Sequence, residues 1–176
     1  MLDEHSGKVE AMRIAVLADT HIPKRARGLP QSAWELIRSC DAVLHAGDVV
    51  TQSLIDDLAA VRPVHVVRGN NDALLPASTP ERLEVTMSGT RIGMIHDSGS
   101  VKGRRERVRR WFPRCRVVVF GHSHIPYLED DGELLLLNPG SPTDRRRMPT
   151  FTMALLTLSD GQPSAELIDL GLARAA

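Results

Sequence analysis

Short apolar runs recur along the chain, each closed by glycine or a polar metal-competent side chain, and helical-period stretches separate the first three. The first run is Met12-Arg13-Ile14-Ala15-Val16-Leu17-Ala18, which leads into Asp19-Thr20-His21. An amphipathic stretch follows over 31–39, with Ala33, Leu36 and Ile37 on one face. Ala42 to Ala46 is the second run, ending in Gly47-Asp48. Residues 51–60 predict a helix with Leu54, Ile55 and Leu58 at helical spacing behind a Thr51 cap. Pro63-Val64-His65-Val66-Val67 is the third run, followed by Arg68-Gly69-Asn70-Asn71-Asp72. This β-α-β-α-β order implies parallel strands joined by right-handed crossovers.

Beyond Pro80 the pattern changes. Runs 82–87 and 90–95 flank Ser88-Gly89, a hairpin signal, and the second ends at His96-Asp97. Residues 102–112 predict a helix that places Val101, Val108, Trp111 and Phe112 together, with Lys102, Arg104, Arg105, Arg107, Arg109 and Arg110 opposite. Residues 116–120 form a buried strand that breaks at Gly121-His122-Ser123-His124. Two hairpins complete the chain, over 125–137 around Asp131-Gly132, a type I′ signal, and over 150–170 around Asp160-Gly161. The predicted architecture is a βαβαβ half and a largely antiparallel half, packed face to face with helices outside. Residues 1–11 are expected to form a flexible leader, 12–170 one domain and 171–176 a tail.

Composition changes this picture little. The chain has 22 basic and 22 acidic residues and no net charge, so gross charge gives no argument for nucleic acid or membrane. Cys40 and Cys115 are too few and too separate for a disulfide framework or a thiolate metal site. No apolar run is long enough to span a bilayer and no signal peptide is visible, so a cytoplasmic setting is expected.

The chemistry lies at the strand ends. Five junctions deliver oxygen or imidazole donors: Asp19/His21, Asp48, Asn70, His96 and His122/His124. Open α/β sheets place their sites at that edge. A sulfur-free donor set suits Mn, Fe, Zn or Ni. Seven donors exceed the needs of one tetrahedral ion and fit two ions sharing a bridge.

Asp-x-His, Gly-Asp, Gly-Asn-x-Asp, His and Gly-His-x-His, in this order, resemble the blocks of the calcineurin-like metallophosphoesterases. The chain is most similar to their small single-domain prokaryotic phosphodiesterase branch, over about residues 12–170, and Asn138-Pro139-Gly140-Ser141 resembles that branch too. The resemblance implies an α/β fold, a four-layer α/β/β/α sandwich of two mixed sheets flanked by helices. It implies that Asp19, His21 and His124 hold one divalent ion, that Asn70, His96 and His122 hold a second, and that Asp48 bridges them. Manganese is the expected metal, with Fe, Zn or Ni as alternatives. The implied activity is hydrolysis of phosphodiesters by a metal-bound hydroxide. Asp48, Asn70 and His96 would position hydroxide and phosphate, with Asp72 behind them.

Two positions depart from the family. Asn71 stands where many larger members have a leaving-group acid, His, and where the small branch often has Cys. An amide cannot supply that proton, so weak activity on poor leaving groups is expected. Asp97 stands where Gly is common; it would either orient a ligand or place a negative charge near the phosphate. His45 is either a brace behind the ligands or a core histidine, and His65 is expected to be structural. Arg25 and Arg27, with Lys24, lie in a loop that starts at a metal ligand and are candidate substrate contacts together with Asn71. Arg145-Arg146-Arg147 either reaches phosphate or lies on the surface. The basic helix is expected to be a solvated face; lacking aromatics on that face, it does not indicate base stacking. A small phosphate ester is the expected partner, ahead of nucleic acid; no membrane partner is expected, and a homo-oligomer is compatible with the sequence. A non-catalytic scaffold, as in the retromer subunit of this fold, and a nuclease are the competing functions.

Overall fold

A computed structural model describes residues 11–172. Residues 1–10 of the expected leader and 173–176 of the expected tail lie outside the described residues. Ten strands and three helices appear in the order β1 (Met12–Leu17), α1 (Gln31–Arg38), β2 (Ala42–His45), α2 (Gln52–Ala59), β3 (Val64–Val66), β4 (Arg82–Met87), β5 (Thr90–Ile95), α3 (Arg104–Trp111), β6 (Val117–Val119), β7 (Tyr127–Asp130), β8 (Leu135–Asn138), β9 (Thr152–Ser159) and β10 (Gln162–Asp169).

The strands form two five-stranded sheets, ordered β10-β9-β1-β2-β3 and β4-β5-β6-β8-β7. In the first, β1, β2 and β3 are parallel and β9 runs antiparallel to β1. In the second, β5, β6 and β8 are parallel between antiparallel edges. Alternation along the strands divides the apolar side chains into three cores. Val16, Leu44, Met94, Val119, Leu137 and Leu156 pack between the sheets. Leu17 and Val43 meet Ala33 and Ile37 of α1 and Leu58 of α2 on one outer face. Val118 and Leu136 meet Val108 and Phe112 of α3 on the other. The result is the expected four-layer α/β/β/α sandwich.

Several details differ from expectation. The sheets are not the two halves of the chain: the last hairpin returns to pair with β1. The second sheet has a parallel centre, because the strand after each crossover re-enters beside its predecessor. Ser88-Gly89 and Asp160-Gly161 are two-residue turns with both residues at positive φ, as type I′ geometry requires. Asp131-Gly132 is not. Only Gly132 has positive φ there, the pairing of Asp130 with Leu135 leaves a longer loop, and the Asp131 carboxylate accepts from Glu133 N and Leu134 N. Thr51 occupies the N-cap of α2, but its hydroxyl donates to Ile22 O rather than into the helix. Val101 does not join the apolar face of α3; it is 75% exposed.

The basic face is solvated only in part: Lys102 and Arg110 are exposed, but the other four arginines are engaged. Arg105 pairs with Glu129 and Asp131, Arg107 donates to Ser98 O, and Arg109 donates to Cys115 O and Glu133 O. Arg104 lies over the rings of Phe120 and Tyr127. These guanidinium groups satisfy loop carbonyls and edge-strand carboxylates that the short helix itself cannot reach. Both cysteines are free and buried, and among the described residues no helix is long and apolar enough to cross a membrane.

Candidate metal centre

The C-terminal ends of the parallel strands of both sheets open onto one edge, and their loops carry the site. Asp19 and His21 follow β1, Asp48 follows β2, Asn70 follows β3, His96 follows β5, and His122 and His124 follow β6. All seven predicted residues come together. His21 Nε2 and His124 Nε2 lie 3.2 Å apart with their rings stacked. Asp19 Oδ1 is 3.5 Å from His124 Nε2 and 3.9 Å from His96 Nε2. Asp48 Oδ2 sits between the two groups, 3.5 Å from His21 Nε2 and 3.4 Å from His96 Nε2. Asn70 Oδ1 is 3.1 Å from both His96 Nε2 and His122 Nδ1.

The backbone that makes this convergence is locally unfavourable. Asp19, His21, Asp48, His122 and His124 all have φ between 46° and 69°. A non-glycine residue in the left-handed region costs about 1–3 kcal/mol and persists where its surroundings over-determine it. The chains also approach too closely for side chains at two points. A Cβ at Gly69 would stand 2.2 Å from Asp48 Oδ1, and one at Gly121 would stand 2.8 Å from Ala18 Cβ and 2.9 Å from Asp19 Oδ2.

The electrostatics fit a bound cation. Asp19 is fully buried and neither carboxylate oxygen has a hydrogen-bond partner. Burial raises its pKa to about 7, since an unpartnered anion is poorly solvated there. Burial also lowers His124 to about 4 and depresses His21, so both imidazoles stay neutral. For His96 burial is outweighed by Asp48 and Asp19, which raise its pKa. Asp48 is held low because His96 and the two Asn71 hydrogen bonds overcome its own desolvation. Asp144 O accepts from His124 Nδ1 at 2.5 Å, and Ala46 O lies 2.7 Å from His96 Nδ1 as acceptor. Each carbonyl fixes its ring so that Nε2 faces the centre. Two triads, Asp19/His21/His124 and Asp19/Asp48/His96, have ligand atoms within 4.8 Å of one another. An orphaned carboxylate beside opposed imidazole nitrogens fits a divalent ion, which supplies the missing partner to all of them.

The model of the calcineurin-like phosphoesterase superfamily domain matches residues 12–161. The chain belongs to that superfamily. It is 33% identical over 163 residues to a probable metallophosphoesterase of Methanothermobacter thermautotrophicus, covering 91% of this chain and 94% of the relative. It is 34% identical to one from Methanocaldococcus jannaschii, covering 85% and 77%. Among solved structures, Vps29 of Cryptosporidium parvum aligns with a TM-score of 0.75 at 22% identity, over 92% of this chain and 98% of Vps29. A predicted phosphoesterase of Streptococcus pneumoniae aligns at 0.70 with 23% identity over 90% of each chain. Both share the fold.

Around these seven residues, neighbouring side chains hold the loops of the candidate centre in place. Asp72 is buried and accepts from Asp48 N, Val50 N and Gly69 N at 2.7–2.8 Å. It therefore staples the β2 and β3 loops together and contacts neither the Asn70 side chain nor an imidazole. His45, fully buried, accepts from Gly47 N at Nδ1 and faces Thr20 Oγ1 at 3.0 Å through Nε2, so it braces the loops of both carboxylates. Burial lowers its pKa to about 3. Asn71 donates its side-chain Nδ2 and its backbone N to Asp48 at 2.7 and 2.8 Å, which ties up the amide expected to contact substrate. Asp97 accepts from Gly99 N and lines a cleft of about 360 Å³ with Asn70, His96 and His122. Arg25 pairs with Asp144 at 3.4 Å, while Arg27 is exposed. His65 lies in β3, opposite Leu44 of β2.

A sixth loop, after β8, carries the Arg145-Arg146-Arg147 run and also braces the centre, a support that the sequence reading does not anticipate. Ser141 Oγ donates to Asp19 O, Thr143 Oγ1 donates to Thr20 O, and Asp144 O receives His124. Its one sequence signal is Asn138-Pro139-Gly140-Ser141; Asn138 Nδ2 donates to Gly121 O, which anchors the β6 loop.

Proposed function

We propose that the protein is a dinuclear metal-dependent phosphodiesterase. Asp19, His21 and His124 would hold one divalent ion, Asn70, His96 and His122 the other, and Asp48 would bridge them. Two such ions, manganese as the first choice, supply a water of lowered pKa and offset the charge of a bound phosphate. The observation that carries the reading is Asp48 Oδ2 poised between His21 and His96, with the orphaned Asp19 carboxylate behind it.

The chain's own groups then divide the work. Asn71 locks the Asp48 carboxylate in place through two hydrogen bonds. The backbone carbonyls of Ala46 and Asp144 orient His96 and His124. Exposed Asn70 and His122 mark the side open to substrate, and the adjoining cleft receives one ester arm. No acid faces the leaving group from position 71, so esters with good leaving groups are favoured.

The test uses Mn²⁺-loaded protein on bis-p-nitrophenyl phosphate, p-nitrophenyl phosphate and a single-stranded oligonucleotide, beside Asp48→Ala. The expected result is fastest turnover of the nitrophenyl diester and loss of at least about a thousandfold in the variant. Equal activity in the variant removes the mechanism. Faster monoester hydrolysis reverses the substrate class, and inactivity with every divalent metal favours a protein-contact role such as the fold neighbour's name, vacuolar protein sorting, suggests.

A further inference from the structure

Two basic loops that are distant in sequence meet in one polar cleft of about 280 Å³ beside the Asp19/His21/His124 group. Lys24 and Arg25 come from the loop that leaves His21; Arg145 and Arg146 come from the loop whose Asp144 carbonyl holds His124. Asp144 is the single carboxylate in that wall. Arg25 pairs with it, and Arg145 donates to Met148 O and lies over the Phe151 ring. Lys24 and Arg146 are exposed, and neither makes a side-chain hydrogen bond or ion pair among the described residues. Arg146 is held at φ 47, a left-handed conformation unfavourable for a long side chain. Thr143 and Asp144, which line the cleft, bond Thr20 O and His124 Nδ1 respectively, so the cleft adjoins the centre. The cleft on the opposite side, by contrast, mixes Glu81 and Asp97 with Arg68 and Arg82. It has no excess of either sign to select a charged arm.

We propose that the basic cleft is an anion-binding subsite for a second phosphate group, so that the preferred substrates are multiply phosphorylated. The inference rests on the phosphodiesterase reading for the centre, with one phosphate placed there. Lysine and arginine aimed at one small volume match a phosphate's charge and its acceptor oxygens. An ester carrying a second phosphate would lie with that group towards Lys24 and Arg146 and its other arm in the mixed cleft.

Calorimetric titration of the metal-loaded protein with AMP, ADP and adenosine 3′,5′-bisphosphate tests this. The two bisphosphorylated probes set the second group at short and long spacing. At least one is expected to bind about tenfold tighter than AMP, an advantage that shrinks as salt screens the cleft. In Lys24→Gln/Arg146→Gly the advantage should fall below about twofold; glycine suits the left-handed backbone at 146, which protects folding. Equal binding of all three probes, or an advantage that survives both high salt and the double variant, overturns the subsite. The salt series needs no variant. A short oligothymidylate added as a fourth probe assigns the second phosphate to a strand if it binds tighter than either bisphosphate, and to a small ester if it binds more weakly. Turnover of bis-p-nitrophenyl phosphate is scored separately. Selective bisphosphate binding without turnover removes the enzyme reading and keeps the subsite; turnover with equal binding does the reverse.

Discussion

The two ends of the candidate centre are built differently. Asp19, His21 and His124 are buried, with 0, 7 and 1% of their surface exposed. All three have left-handed φ, and the β8 loop holds the Asp19 and Thr20 carbonyls through Ser141 and Thr143 and the His124 ring through the Asp144 carbonyl. At the other end His96 is buried, but Asn70 and His122 are exposed, and the two imidazoles share the Asn70 amide oxygen. The closed end offers an anion in a low-dielectric pocket, where attraction for a cation is strongest. Apart from the shared Asp48, the open end offers neutral donors and solvent. In the proposed pairing, the closed end would retain its ion and the open end would exchange ion and substrate.

The largest effects should come from removing one imidazole at each end. His124→Ala is expected to lose the closed-end ion and His122→Ala the open-end ion, each lowering diesterase activity by about a hundredfold or more. Anomalous scattering on crystals of the two variants distinguishes them. Loss of the same ion from both would break the comparison.

Next is the staple common to both ends. Asp72→Ala orphans three backbone N–H groups on the β2 and β3 loops, two of them buried. The expected cost is about 3 kcal/mol, read from urea unfolding of metal-free protein. Wild-type stability in that variant would mean that the loops hold their shape without the carboxylate.

The third effect depends on pH. Burial raises Asp19 from its usual 3.8 to about 7. A carboxyl raised in this way favours the fold below pH 3.8, and the contribution is lost as pH rises through 7. Asp19→Asn removes the charge, so metal-free Asp19→Asn should gain stability over wild type as pH rises from 4 to 8, by a few kcal/mol. Added Mn²⁺ should reverse the order at pH 8, because only wild type then gains the closed-end ion. Parallel stability curves for the two metal-free proteins would show that Asp19 is not an uncompensated charge.

The open end was readable from sequence and much of the closed end was not. Asn70, His96 and His122 each stand just past an apolar run, and strand ends collect at one edge by topology alone. His21 and His124 were found in the same way. What holds them was hidden in ordinary residues: Ser141 and Thr143 act from more than a hundred positions away, through backbone carbonyls that no spacing rule encodes. Asp72 stands out in the sequence, but its partners are amides of its own loop and of the loop after β2. The turns divide similarly. Asp160-Gly161 forms the tight turn its residues favour, whereas Asp131-Gly132 does not, because the β7–β8 register sets a longer loop.

The smallest predicted effect concerns that hidden support. Thr143→Val keeps the side chain's shape and removes only the hydroxyl that donates to Thr20 O at 2.6 Å. Thr20 lies between Asp19 and His21, so its carbonyl belongs to the closed end alone. The lost bond should cost about 1 kcal/mol of stability. It should weaken the closed-end ion by up to about tenfold, because Asp19 and His21 are held at positive φ partly by this clamp. The open-end ion should be unaffected, since the Asn70, His96 and His122 side chains bond one another and Ala46 O rather than Thr143. Two-site metal titration reads both affinities in one experiment. If both weaken together, the ends are mechanically one unit, joined through Asp48, and the division into a retaining end and an exchanging end fails.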